Sequence, residues 1–492
     1  MYRVACPSCG AEVVFRSTIS VMAVCEYCRT VVLRDADAVR EQGRLANVLE
    51  DASPLQIGSS GVWQGRHFAL VGRIQLRYDA GFWNEWYALF DDGSAGWLAE
   101  AGGQYVFTLA VSDATDIPNF ENLRVGAIYR YGGNSYTMSD VRGARCTGGQ
   151  GELPFVVGDG WEARVADARC RERFLTLDYS DEKPQVYVGT AAPLDTLNMQ
   201  LLRDDDTIVA AAGRLRGTPQ TLACPSCGSP LEFPAGIATQ LVCPACHAEV
   251  DCSSDTATLI AKRGELARVV TTLAIGDVGT IAGRKWTVIG LLRCREADDV
   301  TSVWTEYLLY HPSAGLQWLV EAEEGWDQVR VMDIWPESAS MEQAVYKGEH
   351  FRHLYDYASV VTFAAGAFNW RAAVGDKTWI SDYERNGVKL TRESGAKEMG
   401  WSRSERVTAQ LVGQWFGKPA LANRPRAGMA TGAGMTVGDR ESLRRPAIWA
   451  MAIFLLINLP ILITSGFDDD VIMVGFVAMI LLWIPANQDF DG

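Results

Sequence analysis

Eight of the twelve cysteines in this chain fall into two sets with the same spacing. Each set has the pattern C-x2-C, fifteen residues, C-x2-C, and the second set lies 218 positions after the first: Cys6, Cys9, Cys25 and Cys28, then Cys224, Cys227, Cys243 and Cys246. A C-x2-C turn points two sulfurs at one ion, and four thiolates form the closed tetrahedral shell of a structural zinc site. The sequence therefore predicts two zinc ribbons, each with one structural Zn²⁺, and a tandem duplication.

The same cysteines could instead carry redox or catalytic chemistry. A redox C-x2-C motif lies at a strand-to-helix turn of a βαβ unit, and a catalytic zinc keeps one coordination position open. Neither condition fits four cysteines in a β-like sequence. His247 directly follows Cys246 and could compete as a ligand, but we interpret it as a bystander. Closed, structural sites are the prediction.

Charge and the N-terminal sequence limit the possible partners and compartment. The chain has 45 basic and 60 acidic residues, a net charge of −15, and residues 221–261 contain no Lys or Arg. Nucleic acid would be repelled, so we expect no nucleic-acid partner. Residues after Met1 lack the pattern of a secretory signal, so we expect a reducing compartment, where such cysteines bind metal.

Four glutamates recur beside aromatic residues at matched positions of the two halves: Glu85, Glu100, Glu306 and Glu321. Carboxylates that flank a cleft could act as acid–base or cation-binding groups. The alternative, which we favour, is that they form ion pairs with Arg66 and Arg284 at a barrel mouth. We therefore predict no catalytic residues and no cofactor other than zinc.

Three other patterns have a structural interpretation that we prefer. His350 and His353 have the i, i+3 spacing of a metal pair on a helix, but no acidic or Cys partner is near in sequence. The glycines at 58, 61 and 65 lie between β segments, so we predict that they form turns rather than a phosphate-binding loop. The aromatic run 81–87 could bind a ligand or peptide, yet packing within a strand explains it better.

The segments after each cysteine set predict β structure. Residues 67–76 and 285–292 are rich in β-branched and aromatic residues and lie between glycine turns. Short strands at this spacing are typical of small barrels or sandwiches. Spaced apolar residues among charged ones predict helical connectors over 35–52 and 255–272.

The repeat continues through these segments and supports a resemblance. Residues 57–66 match residues 275–284 at the same offset. After a three-residue insertion, Glu85-Trp86 aligns with Glu306-Tyr307, and Trp97-Leu98 aligns with Trp318-Leu319. With these elements the chain resembles the bacterial domain-of-unknown-function family numbered 4178, over about residues 53–190 and 273–410. The resemblance implies two copies, each preceded by a zinc ribbon, and an association with membrane-stress and polyamine-synthesis-like proteins. It implies no reaction and no catalytic residues.

The C-terminal tail contains two apolar runs. Residues 446–464 are long enough to cross a bilayer, whereas residues 471–484 are short for a full crossing. The loop between them is acidic, and the basic residues lie on the linker side: Arg440, Arg444 and Arg445. The positive-inside rule then places the linker and the N-terminal body in the cytoplasm.

The fold class that we predict is mainly β, with two zinc ribbons, two small barrel or sandwich modules and a C-terminal transmembrane helical hairpin. The segments are 1–34 and 220–254 for the ribbons, 35–52 and 255–272 for the connectors, 53–213 and 273–417 for the β modules, 418–445 for a flexible linker and 446–485 for the hairpin. The expected function is a scaffold that holds a protein partner at the bacterial inner membrane. The alternative is an enzyme or enzyme subunit that binds a small cationic, polyamine-like substrate.

Overall fold

The computed structural model describes residues 2–423, except for residues 17–19, 26, 29, 36–37, 45–52, 79–80, 113, 115, 159, 212–221, 232–239, 244, 247, 252–257, 262–270 and 371. Residues 424–445 of the predicted linker and the predicted transmembrane hairpin lie outside the described residues. The start of that linker is not flexible, because Pro419–Asn423 form a 3-10 helix and Leu421 is buried. Within the described residues, no helix combines the length and the apolar character that crossing a membrane requires. Residues 1–425 form one compact unit.

The first half of the chain is built almost entirely of antiparallel strands. Its ribbon segment contains β1 (Tyr2–Ala5), β2 (Glu12–Phe15), β3 (Met22–Val24), β4 (Thr30–Asp35) and β5 (Ala38–Arg44). The segment that follows contains β6 (Ser60–Trp63), β7 (Arg66–Tyr78), β8 (Gly81–Phe90), β9 (Ala95–Ala101), β10 (Gln104–Val111), β11 (Ile128–Tyr131), β12 (Asn134–Leu153), β13 (Trp161–Cys170), β14 (Arg173–Asp178) and β15 (Gln185–Ala191), then the helix α1 (Asp205–Ala211). Two short 3-10 helices lie at Phe120–Asn122 and Leu194–Thr196.

The second half repeats this order of elements. Its ribbon segment contains β16 (Leu222–Ala223), β17 (Pro230–Leu231), β18 (Gln240–Val242), β19 (Glu249–Asp251) and β20 (Thr258–Ala261). The rest contains β21 (Val278–Ile281), β22 (Arg284–Glu296), β23 (Val303–His311), β24 (Gly315–Ala322), β25 (Gly325–Val331), β26 (Ser338–Ala339), β27 (Gln343–Tyr346), β28 (Glu349–Phe368), β29 (Lys377–Arg385), β30 (Val388–Ser394) and β31 (Met399–Val407). The helix α2 (Ala409–Trp415) and a 3-10 helix at Pro419–Asn423 follow.

Each half contains a closed eight-stranded antiparallel barrel. In the first, the order is β12-β13-β14-β15-β10-β9-β8-β7, and pairing of β7 with β12 closes the ring. In the second, the order is β28-β29-β30-β31-β25-β24-β23-β22, and β22 pairs with β28. The structure therefore confirms the mainly β class and decides for barrels over sandwiches. Closure leaves no free edge in either ring.

Each ribbon is joined to its barrel through backbone pairing. Strand β3 pairs with the end of β12, with Met22 opposite Leu153, and β18 pairs with the end of β28, with Val242 opposite Gly366. The long strands β12 and β28 thus run from the barrel wall into the ribbon sheet. The side chain of Met22 packs in one buried cluster with Ile74 of the barrel wall. Ribbon and barrel share a core.

The predicted helical connectors are wrong where the structure describes them. Residues Ala38–Arg44 form β5, which pairs with β4, and residues Thr258–Ala261 form β20, which pairs with β19. The periodicity that suggested helices is weak, and pairing with the exposed edge of the ribbon sheet gives these backbone groups hydrogen-bond partners. Residues 45–52 and 262–270 lie outside the described residues.

Connecting segments cover part of the outer surface of each barrel. In the second barrel, α2 lies against it, and Val412 and Phe416 pack with Leu309 and Leu319. The side chain of Thr408 accepts a hydrogen bond from the Leu411 amide at 3.1 Å and caps the start of α2. Buried apolar clusters lie on both faces of the ring, because two other clusters contain Ile74 and Leu292 of the opposite face.

Candidate metal centres and barrel lumens

The structure brings each predicted set of four cysteine sulfurs together. Within each set all four lie within 4.8 Å of one another, and no other described group of three or more potential ligands is as close. The cross-hairpin Sγ–Sγ distances are 3.5 Å for Cys6 and Cys28, 3.6 Å for Cys9 and Cys25, 3.7 Å for Cys224 and Cys246, and 3.8 Å for Cys227 and Cys243. Four sulfurs about 2.3 Å from a central ion have edges of about 3.8 Å. The donor sets fit a tetrahedral metal ion.

The first turn of each ribbon has the same backbone geometry. The amide of Gly10 donates to the carbonyl of Cys6, and that of Gly228 to Cys224, at 2.8 Å in both. These glycines have φ of +76° and +75°, the left-handed region that favours glycine. His247, the rejected alternative ligand, lies outside the described residues.

Alternating residues of the barrel strands face the lumen. Interactions between carboxylates on opposite strands show which residues these are. In the second barrel Glu306 lies on β23 and Glu393 on β30, four strands apart in either direction around the ring. The charge of Glu306 nevertheless raises the pKa of Glu393. Two carboxylates on opposite strands interact this way only if both face inward. The opposite face of β23, with Tyr307 and Leu309, is the one that packs against α2.

The first barrel has the same arrangement. Glu85 lies on β8, opposite β14 in the ring. The charges of Asp167 and Asp178 both raise the pKa of Glu85. Asp167 accepts a hydrogen bond from Thr176 at 2.7 Å, and Asp178 pairs across the wall with Val165. Three carboxylates from β8, β13 and β14 therefore face one lumen.

The second barrel repeats these three positions. Glu306 corresponds to Glu85, and its other two lumenal carboxylates are Asp382 and Glu393. Asp382 accepts a hydrogen bond from the Thr391 hydroxyl at 2.6 Å. This bond corresponds to the one from Thr176 to Asp167 in the first barrel. The carboxylates of the lumen are therefore duplicated. We call them the lumenal carboxylate set: Glu85, Asp167 and Asp178 in one barrel, and Glu306, Asp382 and Glu393 in the other.

Burial disfavours ionisation of these carboxylates. Burial first, and then the charges of Asp167 and Asp178, raise the pKa of Glu85 to about 7, although a hydrogen bond from Trp83 opposes the shift. Desolvation and then the charge of Glu306 raise the pKa of Glu393 to about 7, although this residue is the most exposed of the set. Burial also raises the pKa of the remaining members of the set. The six residues differ in exposure: Asp382 is buried and Glu393 is exposed, whereas the other four are half-buried.

Aromatic side chains lie beside the lumenal carboxylates. The indole Nε1 of Trp83 donates to Glu85 at 3.0 Å, and that of Trp304 donates to Glu306 at 2.7 Å. The ring of Tyr357 meets Trp304 edge-on at 5.9 Å. The aromatic run 81–87 is thus divided between the lumen and the buried outer surface.

The other two recurrent glutamates do not share the lumen. Glu100 is adjacent to Ala99, which pairs with Glu85, so Glu100 faces the outer side of the wall. It accepts hydrogen bonds from Asn84, Trp86 and Tyr105. Glu321 accepts bonds from Thr272 at 2.5 Å and Tyr307 at 2.7 Å. The alternative that these glutamates flank one cleft therefore does not hold, because neighbouring positions of a strand point to opposite faces.

The favoured ion pairs with Arg66 and Arg284 are also not formed by these glutamates. Arg66 pairs with Asp92 at 2.8 Å instead, at the turn between β8 and β9. His350 and His353 lie on β28, where i, i+3 positions face opposite ways, and they contact Gln343 and Asp356. A helical metal pair is therefore excluded for these histidines.

The predicted glycine turns are present in both copies. Gly58 and Gly276 have φ of +92° and +91°, and Gly65 and Gly283 both have φ of +78°. The amides of Gly58 and Gly276 donate to backbone carbonyls of the neighbouring strand. These glycines serve the β structure rather than a phosphate loop.

Sequence reasoning missed four of the six lumenal carboxylates: Asp167, Asp178, Asp382 and Glu393. The offset between the copies is 218 at the cysteines but 215 here, and Asp178 corresponds to a Glu. The signal that could have found them is the repeated T-x-[DE] of Thr176 and Thr391, on a strand that follows a lumenal Asp.

Comparison with known protein families agrees with this duplicated architecture. A family described as a domain of unknown function (DUF4178) matches residues 56–193 and again residues 274–409, which together exceed half of the chain. The chain belongs to this family. The two DUF4178 matches coincide with the two barrels, and each is preceded by a four-cysteine cluster. No curated protein and no solved structure matches the chain significantly.

Proposed function

We propose that this protein is a membrane-anchored adaptor that holds a partner protein at the inner face of the bacterial inner membrane. The observation that supports the proposal is the joining of each ribbon to its barrel by strand pairing, β3 to β12 and β18 to β28. Such pairing makes ribbon and barrel one rigid unit, and the chain has two. A repeated rigid unit with a closed wall suits presentation of fixed surfaces.

Contacts between the two halves support a rigid double unit. The side-chain amide of Gln104 donates to the Met332 carbonyl at 3.3 Å and to Asp333 at 3.2 Å. Arg142 of the first barrel pairs with Glu398 of the second at 2.8 Å. An adaptor with two joined barrels would present both to a partner at once.

In this proposal the metal is Zn²⁺ and its role is structural. Four thiolates per site, with no ligand position left for water, suit a closed zinc shell. Small ribbons have little core of their own, so the ion contributes their folding free energy. Its loss would then also loosen the barrel, since Met22 of the ribbon packs into the barrel cluster.

The outward surface offers a docking anchor. Trp379 on the outer face of β29 is 66% exposed, whereas most aromatic residues of the barrels are buried. Exposed tryptophans are enriched among the residues that dominate binding energy at protein interfaces. We propose that Trp379 contacts the partner.

The test is capture of partners from membranes solubilised with mild detergent, with full-length protein and the Trp379→Ala variant. The adaptor proposal expects a specific protein at constant stoichiometry with the wild type and its loss with the variant. Met341→Ala, at another exposed apolar position, is the matched control. Absence of any stoichiometric partner would contradict the proposal.

The membrane anchor is tested separately by removal of residues 446–492. The truncated protein is expected to move to the soluble fraction and to keep its fold, because the described body ends before the tail. A truncated protein that stays with the membrane would contradict the anchor. Protease protection of the tail loop in vesicles would report the orientation.

A further inference from the structure

We propose that a cavity between the two halves of the chain binds a small organic acid, whose carboxylate contacts the guanidinium group of Arg330. The cavity has a volume of about 320 Å³. Pockets for small molecules have volumes of about 300–1,000 Å³, so this cavity suits a small ligand. An adaptor can hold its partner whether or not this cavity is filled, so the site is independent of the adaptor function.

Both halves of the chain build the cavity. Residues of β25 and β31 in the second barrel line one side, residues 331–334 line another, and Pro193 comes from the first half. The first half also holds residues 331–334 in place, because the amide of Trp335 donates to the Arg171 carbonyl at 3.1 Å. The cavity therefore depends on the joining of the two halves, and such junctions are common places for ligand sites.

A row of polar side chains crosses three strands at this cavity. Arg330 on β25 is the register partner of Arg403 on β31, and its Nε donates to the side-chain oxygen of Gln317 on β24 at 3.3 Å. The row lies on the outer face of the barrel, because Arg330 follows Trp326 by four positions and Trp326 packs in the cluster beneath α2. Arg330 and Arg403 both line the cavity.

The matching row of the first barrel is apolar. Leu109 lies as far after Trp97 as Arg330 lies after Trp318, and its register partner on β15 is Val188. Leu109 and Val188 pack in apolar clusters. The barrel fold therefore does not require charge at this row. Like charges directly opposite each other destabilise a sheet, so the arginine pair of the second barrel calls for a function.

Arg330 has no carboxylate partner among the described residues. Arg403 forms an ion pair with Glu405, whereas the acceptor of Arg330 is the neutral Gln317. That acceptor is shared, since Gln328 also donates to it at 2.8 Å. Arg330 is exposed, so a ligand can reach its other N–H groups. One guanidinium group can donate two parallel hydrogen bonds to a carboxylate.

A second group of the row also lacks an acceptor. Gln317 is 1% exposed, and its Nε2 has no hydrogen-bond partner among the described residues. A buried donor without an acceptor is costly. The row therefore has an excess of donors over acceptors, which favours an anion over a cation.

The remaining lining residues limit the charge and character of the anion. Glu405 is paired with Arg403, and Asp333 accepts a hydrogen bond from Gln104 at 3.2 Å. One unmatched guanidinium group balances one negative charge, and a dianion such as a phosphate monoester would be repelled by both carboxylates. Other parts of the lining are apolar or aromatic: Pro193, Val331, Ile334 and Tyr346. The matching ligand is a monocarboxylate with an apolar chain or ring.

The experiment is isothermal titration calorimetry of the full-length zinc-loaded protein in detergent with 3-phenylpropanoate, at fixed ionic strength. The heat of titration into the detergent buffer is subtracted. We expect one ion to bind per chain, because the matching row of the first barrel is apolar. Arg330→Leu should weaken binding by about tenfold or more, since charge-assisted hydrogen bonds are lost.

The Arg330→Leu variant should fold, because leucine is the residue at the matching position of the first barrel. An unchanged midpoint of urea unfolding checks this. Arg330→Lys keeps the charge but loses the planar fork, so its affinity should lie between those of the wild type and Arg330→Leu.

Three controls separate this site from general binding. Arg145→Leu makes the same substitution at an arginine of the first barrel whose side chain is 51% exposed, and it should leave binding unchanged. Uncharged 3-phenylpropanamide and dianionic phenyl phosphate should each bind about tenfold more weakly or less. The proposal is overturned by absence of 3-phenylpropanoate binding, by full affinity in Arg330→Leu, or by equal affinity for the amide or the phosphate. None of these results depends on capture of a partner protein.

Discussion

Glu306 and Glu393 lie on opposite strands of the second barrel and face each other across its lumen. Glu85 and Asp178 have the same relationship in the first barrel. Each pair places two carboxyl groups of like charge in surroundings that disfavour ionisation. This relationship makes the lumens, rather than the recurrent glutamates as a group, the chemically distinctive part of the barrels.

The stability of the first barrel should depend on the ionisation of Glu85. Its pKa is about 7 in the folded protein against an ordinary 4.5, so between these values the folded carboxyl holds a proton that the unfolded chain has released. Stability therefore falls as pH rises through this window, and the full penalty is present above it. Glu85→Gln should match the wild type near pH 4 and exceed it above pH 7 by on the order of 3 kcal/mol.

This prediction is measured by urea unfolding across that pH range, followed by tryptophan fluorescence. Glu162→Gln is the control, because Glu162 is 69% exposed on the outer side of the same barrel and pairs with Arg145. Its difference from the wild type should not vary through the window. A constant difference for Glu85→Gln as well would show that Glu85 is not buried in the lumen.

The metal content should follow the two cysteine sets. We expect two zinc ions per chain, and Cys9→Ser or Cys227→Ser should each remove one, because three thiolates leave the shell open. Cys170→Ser, outside both sets, should retain two. Mass spectrometry of the metal content of purified protein measures this. A full complement in Cys9→Ser would contradict the assignment of that ligand.

The shared core of ribbon and barrel should make Met22 important for stability. Its side chain is completely buried, and its Sδ accepts a hydrogen bond from the Val157 amide at 3.4 Å. Met22→Ala should lower the free energy of unfolding by about 2–5 kcal/mol. Met341→Ala, at a side chain that is 84% exposed, should change it by less than about 0.5 kcal/mol. Equal effects in chemical denaturation would argue against a shared core.

Glu100 should contribute to the stability of the first barrel. It accepts hydrogen bonds from Asn84 at 3.2 Å, Trp86 at 2.9 Å and Tyr105 at 3.1 Å on the outer side of the wall. Glu100→Ala leaves these donors without this acceptor and should cost about 3 kcal/mol. Urea unfolding followed by tryptophan fluorescence measures this cost. An unchanged free energy of unfolding would contradict a structural role of Glu100.

Some features could be predicted because they depend on residues close in sequence. Cys6 and Cys9 share one tight turn, and Gly10 supplies the φ that this turn needs, so spacing alone indicates a metal knuckle. The strands of both barrels were visible as β-rich segments between glycine turns. The duplication was visible because cysteines and glycines repeat at one offset.

Other features could not be predicted because they depend on pairing between distant strands. Residues Ala38–Arg44 become a strand only because the edge of β4 is available to them. Neighbouring Glu100 and Ala99 face opposite sides of the wall, so the recurrence of a glutamate could not show which side it faces. Asp167 and Asp382 occupy corresponding lumenal positions of the two barrels, and this correspondence depends on closure of each ring.

The sequence by itself determined two four-cysteine ribbons, a repeated β module and membership of one family, because local spacing and composition encode these. Only the tertiary structure decided which side chains share a lumen. The register of the long strands is irregular between Leu70 and Gly72 in one copy and between Val288 and Gly290 in the other. Each irregularity shifts the alternation of inward-facing and outward-facing residues. An extra residue at a bulge exchanges the two faces of a strand. The lumenal carboxylates are therefore set by ring closure and register.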